Sequence, residues 1–283
     1  MKIKFYPKND LVKEIIPCPQ PSRVPSWFKD MSNYTNGDTK LNVYGGQSNY
    51  SVKSCIPFMD SYLTGYTFNL WADVFVKEIN GFPYISWNHQ YDDLAEIVQR
   101  DQIDDMPIYE NFYPFNFSWQ SHWGIKTPKG YSCILTQPFN RTDLPFITTT
   151  GVMDTDQWGV WGRQPFALKK GFEGVIEAGT PIIQVIPFKR ESWHSEIDES
   201  LSKQGMIQDI KSRSKIRGYY KNNFWNRKNI NRSIINSMKD KIILLFLGLL
   251  LVVNFLAWNA VTTKNDQEIK KISTILESCK INS

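Results

Sequence analysis

The chain has little histidine and little cysteine. Its three histidines are scattered, and its four cysteines, Cys18, Cys55, Cys133 and Cys279, include no C-x-x-C pair. That spacing excludes a structural zinc site of the finger or ribbon kind. There is no nucleophile elbow, no phosphate loop and no H-E-x-x-H, so the short signatures of an α/β-hydrolase, a P-loop NTPase and a zincin protease are missing. No apolar core follows the first residues. Met1 to Glu14 is mixed polar and charged, which reads as a chain without a secretory signal and with reduced thiols. No internal repeat is visible. Neither sign of charge dominates: 33 Lys and Arg against 28 Asp and Glu leave +5, too little by itself to indicate nucleic acid.

Aromatic residues are abundant, with ten Trp and seventeen Phe among 283 residues. They favour strands and fill sheet cores. Residues Trp123 to Arg190 alternate short β-type runs with Gly, Pro and Asp at every break, and they read as the centre of a mainly β domain. Strands at this spacing predict a sandwich or a partly closed barrel over residues 1–193. Residues 2–6 read as a short edge strand. Residues Pro17 to Met31 hold four prolines and read as a rigid strap, with no regular helix, whose Trp27 and Phe28 plug into the core. Residues 32–51 read as a long loop or irregular hairpin. The stretch preceding Gly65 reads as a turn or short helix. Gly65 to Val76 alternates cleanly, with Tyr66, Phe68, Leu70, Ala72, Val74 and Val76 on one face, and predicts one half-buried strand. Further strands are expected at residues 82–87 and 116–125, and a helical turn at 92–100.

Beyond Trp193 the composition changes. Residues 194–241 read as a polar, helical linker on which Lys211, Arg213, Lys215, Arg217, Lys221, Arg227, Lys228 and Arg232 accumulate. Residues 242–261 carry no charge and match the ~20 apolar residues of a membrane-spanning helix. Lys239 and Lys241 flank it on one side, and Trp258 sits where an interfacial aromatic is expected. The competing reading is a buried core helix, since the unbroken apolar run ends at Val253. Basic residues before the helix put the large domain on the cytoplasmic side of a single-pass protein, with the linker against anionic lipid. Contact with nucleic acid is the weaker reading of the same charges, because they abut the apolar run. Residues 262–283 read as a short amphipathic tail.

The polar candidates sit at turns. Asp154 and Asp156, one residue apart in G-V-M-D-T-D-Q-W, have the spacing to bind a cation or orient water, and equally to cap a tight turn. Arg141 in P-F-N-R-T-D pairs either with Asp143 or with an anionic ligand. His89 and His122 have no second ligand at metal spacing and read as core or rim histidines.

Two resemblances follow from motifs. C-P-Q-P-S-R-V-P-S-W-F-K-D-M, C-I-P-F-M-D, T-P-K-G-Y-S, G-V-M-D-T-D, G-T-P-I-I-Q-V-I-P-F-K-R-E-S-W and Y-Y-K-N-N-F-W-N-R-K, in that order over residues 15–228, resemble a family of tailed phages and bacteria that has no established activity. Separately, residues Thr127–Tyr131, Gly151–Asp156 and Gly179–Gln184 are similar to the P-x-G-Y, G-V-I-D-x-D-Y and G-x-x-I-A-Q segments of the dUTP pyrophosphatase and dCTP deaminase superfamily. That resemblance implies a β-clip fold, a deoxynucleotide ligand and Asp154 as the acid that orients water and the sugar. The turn-rich edge around Asp154, Arg141 and Trp158 is expected to face a ligand or protein partner, with Tyr131, Asn140 and Gln184 as further candidate ligand contacts. Gln157 stands where the family has Tyr, the Arg-Ser signature is reduced to Asn140–Arg141, and the Gly-rich phosphate arm is absent. The expectation is therefore a membrane-tethered β domain that binds a small molecule or a protein. The alternatives are a nucleotide hydrolase using Asp154 with a divalent cation such as magnesium, and a virion component.

Overall fold

The computed structural model describes residues 1–44, 47–87, 97–99, 106–107, 110–160, 162–214, 218–226 and 270. In chain order the strands are β1 Lys4–Pro7, β2 Gln20–Pro21, β3 Val43–Tyr44, β4 Gln47–Ser48, β5 Tyr66–Asn69, β6 Val74–Ile79, β7 Phe82–Trp87, β8 Ile97–Gln99, β9 Phe112–Gln120, β10 Trp123–Lys126, β11 Tyr131–Thr136, β12 Phe146–Thr148, β13 Gly151–Met153, β14 Arg163–Lys169, β15 Gly174–Ile176 and β16 Pro181–Lys189. The helices are α1 Asp10–Ile15, α2 Ser26–Asp30, α3 Ile56–Leu63, α4 Ser202–Ser214 and α5 Tyr219–Asn223. The fold is mainly β, as expected, and it is built from several antiparallel sheets, none closed into a barrel. A five-stranded sheet runs β13-β11-β16-β5-β2 and a four-stranded sheet β12-β14-β9-β8. A three-stranded sheet runs β15-β6-β7, and β1-β10 and β3-β4 form two small ribbons.

The core is aromatic where the four-stranded sheet faces the five-stranded one. Trp119 is fully enclosed, stacks on Phe166 with centroids 3.7 Å apart, and meets Phe146 edge-on at 4.9 Å. A buried indole N–H needs an acceptor. Here it donates to Thr148 Oγ1 at 3.0 Å, and that hydroxyl donates to the Ile182 carbonyl on β16 at 2.8 Å. One threonine thus joins the two sheets through a satisfied polar bridge. The Trp123 indole similarly donates to the Ile16 carbonyl and holds the end of α1 against β10.

Several local expectations are corrected. The alternation from Tyr66 to Val76 does bury Phe68, Leu70, Val74 and Val76, but the stretch is two strands in two sheets. β5 pairs with β16 and β6 with β15, and both chains turn the same corner. At that corner Leu70 N donates to the Thr180 carbonyl, Gly179 N to the Leu70 carbonyl, and Ala178 N to Asp73 Oδ1. The strand expected at residues 116–125 is likewise divided: β9 pairs with β14 and β8, β10 with β1. In the strap, α2 forms after Pro25 because no proline follows until Pro57. Phe28 is buried as expected, whereas Trp27 is only partly covered. Ile97–Gln99 is strand where a helical turn was expected.

The first compact unit runs Met1–Ile230. It includes α4 and α5, and Trp225 Nε1 donates to Asp60 Oδ2 on α3 at 2.8 Å. The span expected at 242–261, with Lys239, Lys241 and Trp258, lies outside the described residues. Among the described residues no helix is long and apolar enough to cross a membrane.

Candidate functional site

The paired strands β11 and β16 form the axis on which the candidate residues are placed. Tyr131 lies opposite Lys189 at one end and Thr136 opposite Gln184 at the other. Five steps of roughly 3.4 Å separate the ends by about 17 Å. The candidates therefore form two clusters and not one. The turns after Thr127 and Gly151 meet at the Tyr131 end, and the turn at Gly179 belongs to the Gln184 end.

At the Tyr131 end, the tight turn after β13 brings Asp154 and Asp156 to one cation, Arg190, which directly follows β16. Its guanidinium donates to Asp154 Oδ1 at 3.0 Å, to Asp156 Oδ1 at 2.9 Å and to Asp156 Oδ2 at 2.5 Å. Ser132 Oγ donates to Asp154 Oδ1 at 2.6 Å, and Gly130 N to Asp156 Oδ2 at 2.7 Å. The Asp156 side chain is 3% exposed, that of Asp154 58%. The Arg190 hydrogen bonds, with the Gly130 N–H, pull the Asp156 carboxyl down to about 2. Asp156, and after it Asp154, in turn raise the Arg190 guanidinium. Beneath them Thr127 and Thr155 share a hydroxyl hydrogen bond of 2.7 Å, and Thr155 Oγ1 reaches the buried Cys133 sulfur at 3.3 Å. Burial pushes that thiol upward and leaves it protonated. Gly159 closes the turn: an added Cβ would fall 1.5 Å from the Ile125 carbonyl oxygen. Tyr131 offers its carbonyl to Thr127 Oγ1, and Trp158 presents a 66% exposed indole.

Chemically this end is a closed ion cluster. Asp156 is committed to Arg190 and the Gly130 amide, so it is no free base. A divalent cation between the two carboxylates would have to displace the guanidinium already there. Among the described residues no group of three His, Cys, Asp or Glu stands at metal-holding distance. Sequence reasoning missed Arg190, although one signal pointed to it: two carboxylates at a turn call for a cation, and the Lys-Arg pair ending the Gly179 motif supplies one.

At the Gln184 end, Gln184 is 2% exposed and fully engaged. Its Oε1 accepts from Phe139 N at 2.8 Å, and its Nε2 donates to the Ser61 and Thr64 carbonyls at 3.0 and 2.6 Å. Asn140 takes a left-handed φ of 56° and donates to Ser61 Oγ at 2.8 Å. Arg141 pairs with Asp143 through Nε and Nη2, both at 2.8 Å. Burial raises the Asp143 carboxyl, but the Arg141 hydrogen bonds and charge and the Trp27 indole outweigh it, leaving the group below its usual range. Burial and the nearby Asp143 raise the Tyr62 phenol.

These residues border a cavity of about 260 Å³. Ser22 and Asn69 close it on one side, Arg23 and Arg141 line it, and Pro21, Pro25, Pro138 and Pro181 stiffen its walls. Ser22 is 4% exposed, and neither its Oγ nor Asn69 Oδ1 finds a hydrogen-bond partner. Enclosed polar atoms without protein partners are uncommon, and each keeps an unused hydrogen-bonding capacity. Gly65 shapes this end, with φ 74°. A Cβ there would meet the Val185 carbonyl oxygen at 2.0 Å, and its own carbonyl takes Ser22 N.

His122 belongs to neither cluster. It is 4% exposed and both ring nitrogens lack partners. Burial, with help from Lys8, lowers it to about 4, so it is a neutral core residue. His89 lies outside the described residues. Comparison with known protein families and with curated proteins finds no match.

Proposed function

We propose that this chain is a membrane-tethered binding protein whose β domain takes a small polar ligand in the cavity beside Gln184. The observation that carries the reading is the contrast in saturation: Asp154 and Asp156 are bound to Arg190, while Ser22 Oγ and Asn69 Oδ1 are buried and, among the described residues, unpartnered, on two residues that line a preformed cavity. Preformed pockets with a few convergent polar groups are the usual form of a small-molecule site. The uncharged run at 242–261 behind Lys239 and Lys241 supplies the tether, with the β domain on the cytoplasmic side.

A second reading, deoxynucleotide hydrolysis at Asp154 with magnesium, has one observation in its favour. The Lys129–Gly130 and Asp154–Asp156 turns, distant in sequence, meet through the Gly130 and Ser132 hydrogen bonds. Arg190 in the place of a cation weighs against it.

The deciding experiment is ligand-observed NMR of the full chain in detergent micelles with a fragment library. Binding reading: hits compete for one site and disappear in Ser22→Leu, which fills the cavity. A library without cavity hits overturns it. Turnover of a deoxynucleotide panel with magnesium, lost in Asp154→Asn, would replace it with the second reading. Membrane fractionation of the chain with and without residues 242–261 tests the tether.

A further inference from the structure

Among the described residues, the walls of the cavity beside Gln184 hold two arginines, Arg23 and Arg141, and no Asp or Glu. Arg141 gives Nε and one Nη2 hydrogen to Asp143, which lies outside the lining. Among the described residues its Nη1 has no acceptor, so one edge of the guanidinium is left for an oxyanion. Arg23 is exposed at the rim and makes no ion pair among the described residues. With Arg141 balanced by Asp143, Arg23 carries the unpaired positive charge of the lining, and a guanidinium edge suits the planar or trigonal oxygens of a carboxylate or phosphate.

Two further lining residues ask for something else. Asn69 Oδ1 accepts only, so its partner must bring an O–H or N–H. Ser22 Oγ can donate or accept. Gln184 has no donor left, because its two amide hydrogens go to the Ser61 and Thr64 carbonyls, and its Oε1 already accepts from Phe139 N. It acts as a fixed wall. The volume, about 260 Å³, falls just under the roughly 300–1,000 Å³ of drug-sized sites. That admits one sugar-sized unit and leaves out dinucleotides and oligomers. Proline-rich walls reduce the ordering penalty of binding.

We propose that this cavity binds a compact hydroxylated oxyanion, a sugar acid or a sugar phosphate, with its anionic group toward Arg141 and Arg23 and its hydroxyls on Ser22 Oγ and Asn69 Oδ1. The assignment rests on the binding reading above and adds the chemical class. The orphaned atoms make a distinctive prediction: removing the Ser22 hydroxyl leaves the empty protein as stable as before, or more so, while it weakens binding.

The test is thermal unfolding and calorimetric titration of the full chain in micelles, with glucuronate, glucose 6-phosphate, glucose and inorganic phosphate, each to about 10 mM. Glucuronate or glucose 6-phosphate raises the melting temperature saturably, and which of the two does so separates carboxylate from phosphate ester. Glucose and inorganic phosphate do not. Ser22→Ala, Asn69→Ala and Arg23→Gln each weaken the binding anion by at least about tenfold. Arg23→Gln alters an exposed side chain and Ser22→Ala deletes an unbonded one, so both report on binding without loss of the fold. Equal binding of glucose, abolished by Ser22→Ala, overturns the oxyanion class and leaves the cavity as a binding site. Anion binding that none of the three variants changes overturns the placement. Absence of binding by both anions overturns the class, and the fragment library then decides the cavity by itself.

Discussion

The two ends of the β11–β16 pair use similar residue types and leave them in opposite states. At the Tyr131 end two carboxylates, a guanidinium, a serine hydroxyl and a backbone amide satisfy one another. At the Gln184 end an ion pair and a bonded amide border a cavity, and two buried polar atoms of its lining residues have no partner among the described residues. A clustered set of Asp and Arg is the more conspicuous feature in a sequence. In the folded chain it is the unsaturated end that has capacity for a ligand, because a group already bonded offers nothing in exchange for its lost hydration.

Four measurements bear on that contrast. The largest effect is expected away from both ends, as a control. His122 has a folded value of about 4 against an ordinary 6.5. Its depressed folded value means that stability is full above about 6.5 and falls progressively as pH drops towards 4, by about 3 kcal/mol at most. Urea midpoints across that window will show the decline, and His122→Leu will flatten it. If the decline persists in His122→Leu, the assignment is wrong.

Next comes Gly65→Ala, which forces a side chain onto the Val185 carbonyl at a left-handed φ. A loss of at least about 2 kcal/mol in chemical denaturation is expected. A stability equal to wild type would show that the backbone at the Gln184 end yields, and would undercut the idea of a preformed cavity. The third measurement concerns the Tyr131 end. Asp156 is held at about 2 against 3.8. Its contribution is therefore present above about 4 and lost as pH falls towards 2. Arg190→Gln should move the acid-unfolding midpoint upward. An unchanged midpoint would mean that the ion cluster is not what settles this turn. The smallest effect is Ser22→Ala, within about 0.5 kcal/mol of wild type or slightly stabilising. A clear loss of stability would show that the hydroxyl is bonded after all, and the contrast would disappear.

How much of this was legible in the sequence depends on how local the determining physics is. The β7 strand, the short helix before Gly65 and the mainly β character follow from nearby residues, and all are present. The alternation over residues 66–76 correctly marked the buried face, because burial on one side is a local pattern. That the chain turns a corner after Asn69 is written in its partner, the turn at Gly179, more than 100 residues away. Asp154 and Asp156 were visible as a pair, but Arg190 lies 34 residues beyond Asp156 and no short motif joins them. The cavity was the least legible feature. Ser22, Asn69 and Arg141 come from a strap, a strand end and a turn, and an unmet hydrogen bond leaves no mark on composition. Of the two partners expected for Arg141, the structure shows Asp143, and Gln184 is bonded within the protein.

Gln184 has a further consequence for how β16 finds its place. Ile182, Ile183, Gln184 and Val185 are all 4% exposed or less, so this strand has no wet side. In most sheets a one-residue slip is prevented because it would turn greasy side chains outward. Here a slip would simply exchange one apolar neighbour for another. The single amide in the run can meet Phe139, Ser61 and Thr64 in only one alignment, so it works as a key that fits one notch.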